Sequence, residues 1–481
     1  MRDYLLFMII MVLVPVILAR PWVGIPAWYW VGLMAPHGLT WTFMRSFPVA
    51  TVIGGTTLLA LLLSKDRRPM PFTREMVLMF AFLGWITLTS YFAVNSSGAW
   101  GFWQHFVKIL LITFVTPMLI YGQQRILWVL LVITFSIAFY GLKGGIFAIS
   151  TGGNYMVLGP PGSYLSGNTY IGLAMVMVLP LVLVSARMFR EKWVDWSKEG
   201  WGIIQRFSLP IGWGIYGVFW LTAIATLATH SRGALVGVLA IAPFMFWHMR
   251  RKWLLVSLAV IAVGVVGVQA PERLMDRWQT IQTYEQDTSA MQRIQAWGVN
   301  WNMAMESPIT GMGFRNHHLG YDWWISYANF EGTWNHVLSP HSIYFGVLGE
   351  HGFGGLTIFI LLLACTMLTL NRIRRRARRT TGQEWLAEYA WAIQVGLMGY
   401  IVAGAFLDVI YFNLLYAFIA LTIIMRRELE EAPRTVEAQQ KQPGNSAVPS
   451  AHGPQPGGAT IGGPATPWSA TESGENQPSR L

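Results

Sequence analysis

Long apolar runs alternate with short polar breaks along most of the chain. Runs long enough to cross, or nearly cross, a hydrocarbon core of about 30 Å fall at roughly 3–19, 48–64, 76–94, 106–121, 126–149, 168–186, 207–228, 232–249, 254–270, 341–371, 387–407 and 409–425. This pattern predicts an all-α, polytopic membrane protein with about twelve transmembrane helices. Trp22 to Met34 is short and Trp-rich, and reads as a half-height or interfacial segment that leaves the side of the N-terminus least constrained. One long interruption, 271–340, opens on Pro271 and Glu272. Its periodic apolar positions predict two amphipathic helices near 272–283 and 288–305, the second capped by Asp287-Thr288, before a loop with Gly311, Gly313 and Gly320. The chain thus divides into helices with short loops (1–270), the large loop (271–340), C-terminal helices (341–431) and a Gly-, Pro-, Ser-, Gln- and Thr-rich tail (432–481). The tail lacks apolar periodicity and is expected to be disordered and cytoplasmic.

Composition supports this reading: 54% of residues are hydrophobic and 12% charged, which excludes a soluble multidomain protein. The net charge of +11 raises the question of a nucleic-acid partner. The basic residues, however, sit in short clusters between apolar runs: Lys65 to Arg68, Arg187 to Lys192 with Lys198 and Arg206, Arg250 to Lys252, and Arg372 to Arg379. That is the positive-inside pattern of a bilayer protein. Counting spans from these clusters puts 35–47, 95–105, 150–167, 229–232 and 271–340 on the opposite side, the periplasm where there are two membranes. The lone cysteine, Cys365, allows no intrachain disulfide, so an ordered loop must be held by packing. Tyr4 to Ala19 lacks a small-residue cleavage site and is expected to be a retained helix rather than a signal peptide.

The candidate chemistry gathers on the non-cytoplasmic side. Arg232, in Thr229-His230-Ser231-Arg232-Gly233, opposes the positive-inside bias, and small Ser231 and Gly233 leave its guanidinium room to meet a bulky anion. Arg293 lies on the second loop helix with Trp297 one turn later. Two arginines on one side form a clamp suited to a diphosphate; read singly, each is an ordinary helix-end or solvated charge. His341, after Pro340 and before Ser342, is either a boundary residue or a base, since imidazole titrates near neutrality. Glu350 and His351 follow two to three turns on and are candidate supporting groups. Lys143 in Gly141-Leu142-Lys143-Gly144-Gly145 and Asp408 in Phe406-Leu407-Asp408-Val409 are charges in apolar surroundings; they read as a mutual pair, or Lys143 as a further phosphate contact. The uncharged loop Gly152 to Gly162 follows Lys143 and is a candidate wall of the same cavity. Trp278, Trp297, Trp301, Trp323, Trp324 and Trp334 fit either an interfacial belt or a sugar-stacking surface. His317, His318, His336, His341 and His351 crowd one window, but without regular ligand spacing, and no metal site is assigned.

Ser231-Arg232-Gly233, Arg293 with Trp297, Gly311-Met312-Gly313-Phe314, and His341-Ser342 followed by Gly352-x-x-Gly355 together resemble the O-antigen ligase and polymerase family of bacterial membrane glycosyltransferases. The Arg2-Asp3 start, Pro36-His37, Leu142 to Gly145, Gly159 to Gly162 and Thr283-Tyr284-Glu285 resemble its branch called putative O-glycosylation ligase, exosortase A system-associated. The resemblance implies transfer of a glycan from an undecaprenyl-diphosphate carrier to an acceptor hydroxyl of a protein or glycan at the periplasmic face of the inner membrane, without a metal, cofactor or nucleotide sugar. By the same resemblance, Arg232 and Arg293 bind the diphosphate and His341 is the base, with Lys143, Glu350, His351, Ser231 and Ser342 as possible support. An exopolysaccharide polymerase, with a second lipid-linked glycan as acceptor, shares this chemistry. A lipid-linked glycan transporter is the reading from another class, and would place its charges near mid-membrane.

Overall fold

The computed structural model describes residues 1–249, 288–329 and 335–440. The expected span at 254–270, the expected helix at 272–283, Arg250 to Lys252, Thr283 to Glu285, Asp287, Trp278, Trp334 and the tail beyond Gln440 lie outside them. Within them the apolar runs become helices: α1 (Arg2–Ala19), α2 (Gly24–Met34), α3 (Val49–Leu63), α4 (Arg74–Tyr91), α5 (Ser96–Leu119), α6 (Gln123–Ser150), α7 (Asn168–Arg190), α8 (Gly202–Arg206), α9 (Ser208–Leu227), α10 (Arg232–His248), α11 (Thr288–Glu306), α12 (Tyr321–Ile325), α13 (Ile343–Ala377), α14 (Glu384–Gly404) and α15 (Asn413–Gln440). Met1–Pro433 forms one unit and Arg434–Leu481 separates as a second.

Seven of these helices, α1, α5, α6, α7, α9, α13 and α14, are long and apolar enough to cross a membrane, and all seven fall on expected spans. The count of twelve is therefore not reached among the described residues. α3 and α10 are apolar but have 15 and 17 residues. α4 includes Arg74 and Glu75 within its 18 residues, and the apolar part of α15 gives way to Arg426, Arg427 and Glu428. Apolar runs in the sequence are thus trimmed by the polar residues that cap or extend each helix. α2, with 11 residues, is about 16 Å long, the half-height element expected at Trp22 to Met34. The Asp3 carboxylate accepts from the Thr42 backbone N–H and hydroxyl (2.9 and 2.8 Å), which ties the start of α1 to the segment after α2.

α7 is the centre of the bundle. Every residue from Ile171 to Ala186 is buried, as a helix apolar on all sides must be. α1, in contrast, leaves Leu5, Val12 and Leu18 exposed, a face suited to lipid. Pro15, Pro117, Pro180 and Pro243 lie inside α1, α5, α7 and α10, which is tolerated where neighbouring helices stabilise the break.

The large loop packs through a small core of its own: Ala296, Val299 and Met303 from α11 meet Met312, Trp324 and Leu338. Trp324 is therefore a core residue, and Cys365 is free. The loop then docks on a break in α13. Gly352 has φ 65° and ψ −170°, a conformation nearly confined to glycine. The break frees backbone groups of α13, and the loop pairs with them. Met312 N and Gly313 N donate to the Gly349 and Glu350 carbonyls (2.9 and 2.8 Å), and Phe353 N donates to the Pro308 carbonyl (2.8 Å). Trp85 Nε1 donates to the His351 carbonyl (3.0 Å). A Cβ on Gly352 would lie 2.5 Å from the Ile309 carbonyl oxygen, and one on Gly311 2.6 Å from Gly352 N. Gly352 is thus the seat of the loop on α13, while Gly355 packs against Trp85.

Candidate active site

Two helix starts and one helix face build the site. Ser342 caps α13, its Oγ accepting from Tyr344 N (3.3 Å) and Phe345 N (3.5 Å). This fixes the position of His341 immediately before the helix, where it takes a left-handed φ of 41°. Such strain is sustained only where surrounding contacts enforce it. Here Trp297 Nε1 donates to the Pro340 carbonyl at 2.7 Å, and the Trp297 ring stacks on Phe345 at 5.2 Å. Trp297 therefore acts as a bracket for His341, and Arg293 lies one turn earlier on the same helix. The charges of Arg293 and of Asp408, from the turn between α14 and α15, both act on His341.

His341 opens to the site, but the protein around its ring withdraws enough water to lower the imidazole pKa below its ordinary 6.5; Asp408 opposes that shift and Arg293 adds to it. The ring is therefore neutral at pH 7 and able to accept a proton. Asp408 is itself raised by burial, against the pull of His341, a hydrogen bond from Ser339 Oγ (3.2 Å) and Arg315. Asp408→Asn is expected to lower the His341 pKa further, moving the acid limb of the pH–rate profile to lower pH and slowing turnover. An unmoved limb in the variant would separate Asp408 from the imidazole.

Arg232 begins α10 directly after Ser231, whose Oγ accepts from Ala234 N at 3.2 Å. The two supporting serines are thus N-caps that place their charged neighbours. Arg232 is exposed, and a Cβ on Gly233 would lie 2.9 Å from the Leu407 side chain, so the start of α10 abuts the segment carrying Asp408. His230, at φ 52°, reaches the Gly153 carbonyl through Nε2 (3.1 Å), and Val157 N donates to the Ala228 carbonyl (2.9 Å). The uncharged loop 152–162 therefore lies against this same end.

Lys143 does not pair with Asp408. Gly145 presses α6 so closely on α9 that a Cβ there would lie 2.3 Å from the Leu221 carbonyl oxygen. That packing fixes the rotation of α6 and leaves Lys143 exposed, while Asp408 takes Ser339 and His341 as neighbours instead.

Glu350 and His351 lie deeper. Tyr411 donates to Glu350 Oε2 (2.6 Å) and lies 2.8 Å from His351 Nε2, while His351 Nδ1 is 2.7 Å from the Thr89 hydroxyl. His351 is fully buried, so it serves as a link in a core network rather than a group that meets substrate. Glu350 and Asp408 also line a cavity of ≈ 20 Å³ with Asn300, Asn316 and His317, room for about one water. Burial pushes His317 down to about 4, with His318 and Arg315 adding to the shift. Among the described residues no group of three or more His, Cys, Asp or Glu could hold a metal ion.

The sequence reading missed Arg315. It has φ 56°, lies 4.7 Å over the Phe102 ring, meets His318 Nε2 at 3.0 Å and acts on Asp408. Its signal was available: like Arg232 it opposes the positive-inside bias, and it directly follows Gly311-Met312-Gly313-Phe314.

The fold and site together define a multi-pass helical membrane protein with two helix starts and an amphipathic loop helix converging on one end. Residues 217–360, which hold Arg232, Arg293 and His341, match the family model described as O-Antigen ligase, and this region is similar to that family. Residues 1–189 match a second model, described as a family of unknown function. A search of curated proteins finds no match.

Proposed function

We propose that this chain is a metal-independent glycosyltransferase that moves a glycan from an undecaprenyl-diphosphate carrier to an acceptor hydroxyl at the periplasmic face of the inner membrane. Its place is protein O-glycosylation linked to exosortase and exopolysaccharide systems. The observation that carries this reading is the proximity of Arg293 and Asp408 to His341 within a region similar to the O-antigen ligase family. In the proposed step the acceptor hydroxyl passes its proton to His341 and its oxygen attacks the anomeric carbon from the face opposite the leaving group. The bond from that carbon to the diphosphate breaks, and the lipid diphosphate leaves as an anion held by Arg232 and Arg293. The new linkage is therefore inverted at the anomeric centre.

In proteoliposomes supplied with an undecaprenyl-diphosphate glycan, Arg232→Ala and Arg293→Ala are each expected to lower transfer by about 10²–10³-fold, with thermal stability unchanged. Full activity in either variant would remove that arginine from the clamp. Deletion in the native host separates the two acceptors: loss of glycan from secreted proteins marks the ligase, and shortened exopolysaccharide marks a second lipid-linked glycan as acceptor.

A further inference from the structure

A second cavity lies at the other end of the bundle. α6, with 28 residues, is about 42 Å long; its C-terminal end leads into the loop that contacts Ala228 and His230 beside Arg232, and its N-terminal end forms this second site. The cleft, ≈ 590 Å³, is lined by Arg20, Trp22, Asp66, Arg125, Trp128 and Trp201. Its volume is that of a small-molecule site, and most of its wall comes from residues 1–189, the part matched to a family of unknown function.

The charges in the cleft are not balanced. Arg125 holds Asp66 through Nη2 to Oδ2 (3.0 Å) and Nη1 to Oδ1 (3.4 Å), and the Tyr121 hydroxyl donates to the same carboxylate. That pair is internally neutral. Arg20, at the end of α1, makes no side-chain hydrogen bond or ion pair among the described residues, so one guanidinium is uncompensated. Arg20 is exposed at the cleft, and much of the remaining wall is aromatic. Trp128 packs edge-on against Trp201 (5.5 Å) and Trp196 (5.9 Å), and Trp196, 2% exposed, stacks on Phe189 at 5.7 Å. Arg125 in turn sits 5.6 Å from the Trp22 ring centre. A loop arginine that served topology alone needs no open cleft walled by indoles beside it.

We propose that this cleft binds a phosphate-bearing anion, with the guanidinium of Arg20 taking phosphate oxygens and the indoles of Trp22, Trp128 and Trp201 flanking the rest of the ligand. A guanidinium presents its N–H groups in a planar fork that matches phosphate. Basic pockets between membrane helices hold anionic lipid headgroups by this chemistry, and a soluble phosphate ester satisfies it equally. The site is independent of the glycan-transfer reading, because it lies on the other face from His341 and shares no residue with it.

Native mass spectrometry of the full chain, released from vesicles of phosphatidylglycerol and phosphatidylcholine in equal amounts, tests the proposal. The protein is expected to retain phosphatidylglycerol, and Arg20→Gln to retain about fivefold less. Arg45→Gln, an exposed arginine at the other end, should retain as much as the unaltered chain. A parallel titration with inorganic phosphate assigns the source: phosphate adducts that depend on Arg20, without lipid retention, mark a soluble phosphate ligand. Equal lipid retention and equal phosphate adducts in the unaltered chain and Arg20→Gln would overturn the site. Because the Arg20 side chain makes no contact that the fold relies on, an unchanged melting temperature in Arg20→Gln is expected and secures the comparison.

Discussion

His341→Ala is expected to leave the lipid-linked donor bound while lowering turnover by about 10²–10⁴-fold, the range over which a positioned base acts. The split follows from where the residue sits. His341 precedes the Ser342 cap, so the α13 helix start does not depend on the imidazole. The arginines assigned to the diphosphate come from α10 and α11, and their placement rests on Ser231 and on the packing of Trp297 rather than on His341. Binding is thus carried by one set of groups and proton removal by another. The measurement is donor affinity beside single-turnover transfer. A fall in donor affinity as large as the fall in rate would make His341 a binding residue. In the unaltered chain the rate should fall as the pH drops below the lowered imidazole pKa and remain level through neutrality, since only the neutral ring accepts a proton.

Gly352→Ala is expected to be strongly destabilising. At φ 65° an alanine is strained by about 1–3 kcal/mol, and its Cβ would meet backbone oxygens of Pro308 and Ile309 at 2.6 and 2.5 Å. Backbone cannot rotate aside as a side chain can. Relief requires the loop to lift, which unpairs Phe353 N from Pro308 and strips Met312 N and Gly313 N from the α13 carbonyls, each worth about 1 kcal/mol. The sum is about 4–6 kcal/mol, read as a large drop in melting temperature with loss of transfer. The same alanine at Gly355, which meets side chains rather than backbone, should cost less. Equal stability in Gly352→Ala and the unaltered chain would show that the loop is not seated on this break.

Much of the architecture was readable because membrane helices announce themselves locally. An apolar run needs no partner to be recognised, so the seven long spans coincide with expected ones. The relation of Arg293 to Trp297 is also local, one helical turn, and the structure sets both against the Pro340-His341 segment. Rotation and long-range partnership were not legible. Lys143 and Asp408 looked like a pair because each is a charge in an apolar run, but a backbone contact at Gly145 decides which way α6 faces. The link from Thr89 to His351 joins residues 262 apart in sequence, which no periodicity encodes. Gly352 stood in the sequence only as part of the Gly352-x-x-Gly355 pattern, and its role in breaking α13 depends on a loop that arrives from about 40 residues earlier.

The central claim is that this chain transfers a glycan rather than moving its lipid carrier. Purified protein in proteoliposomes, given an undecaprenyl-diphosphate glycan labelled in the sugar and a hydroxyl-bearing acceptor, tests it most directly. The label is expected to appear on the acceptor through an inverted linkage, with one undecaprenyl diphosphate released for each glycan transferred. Label that stays on the lipid while crossing the bilayer would contradict it.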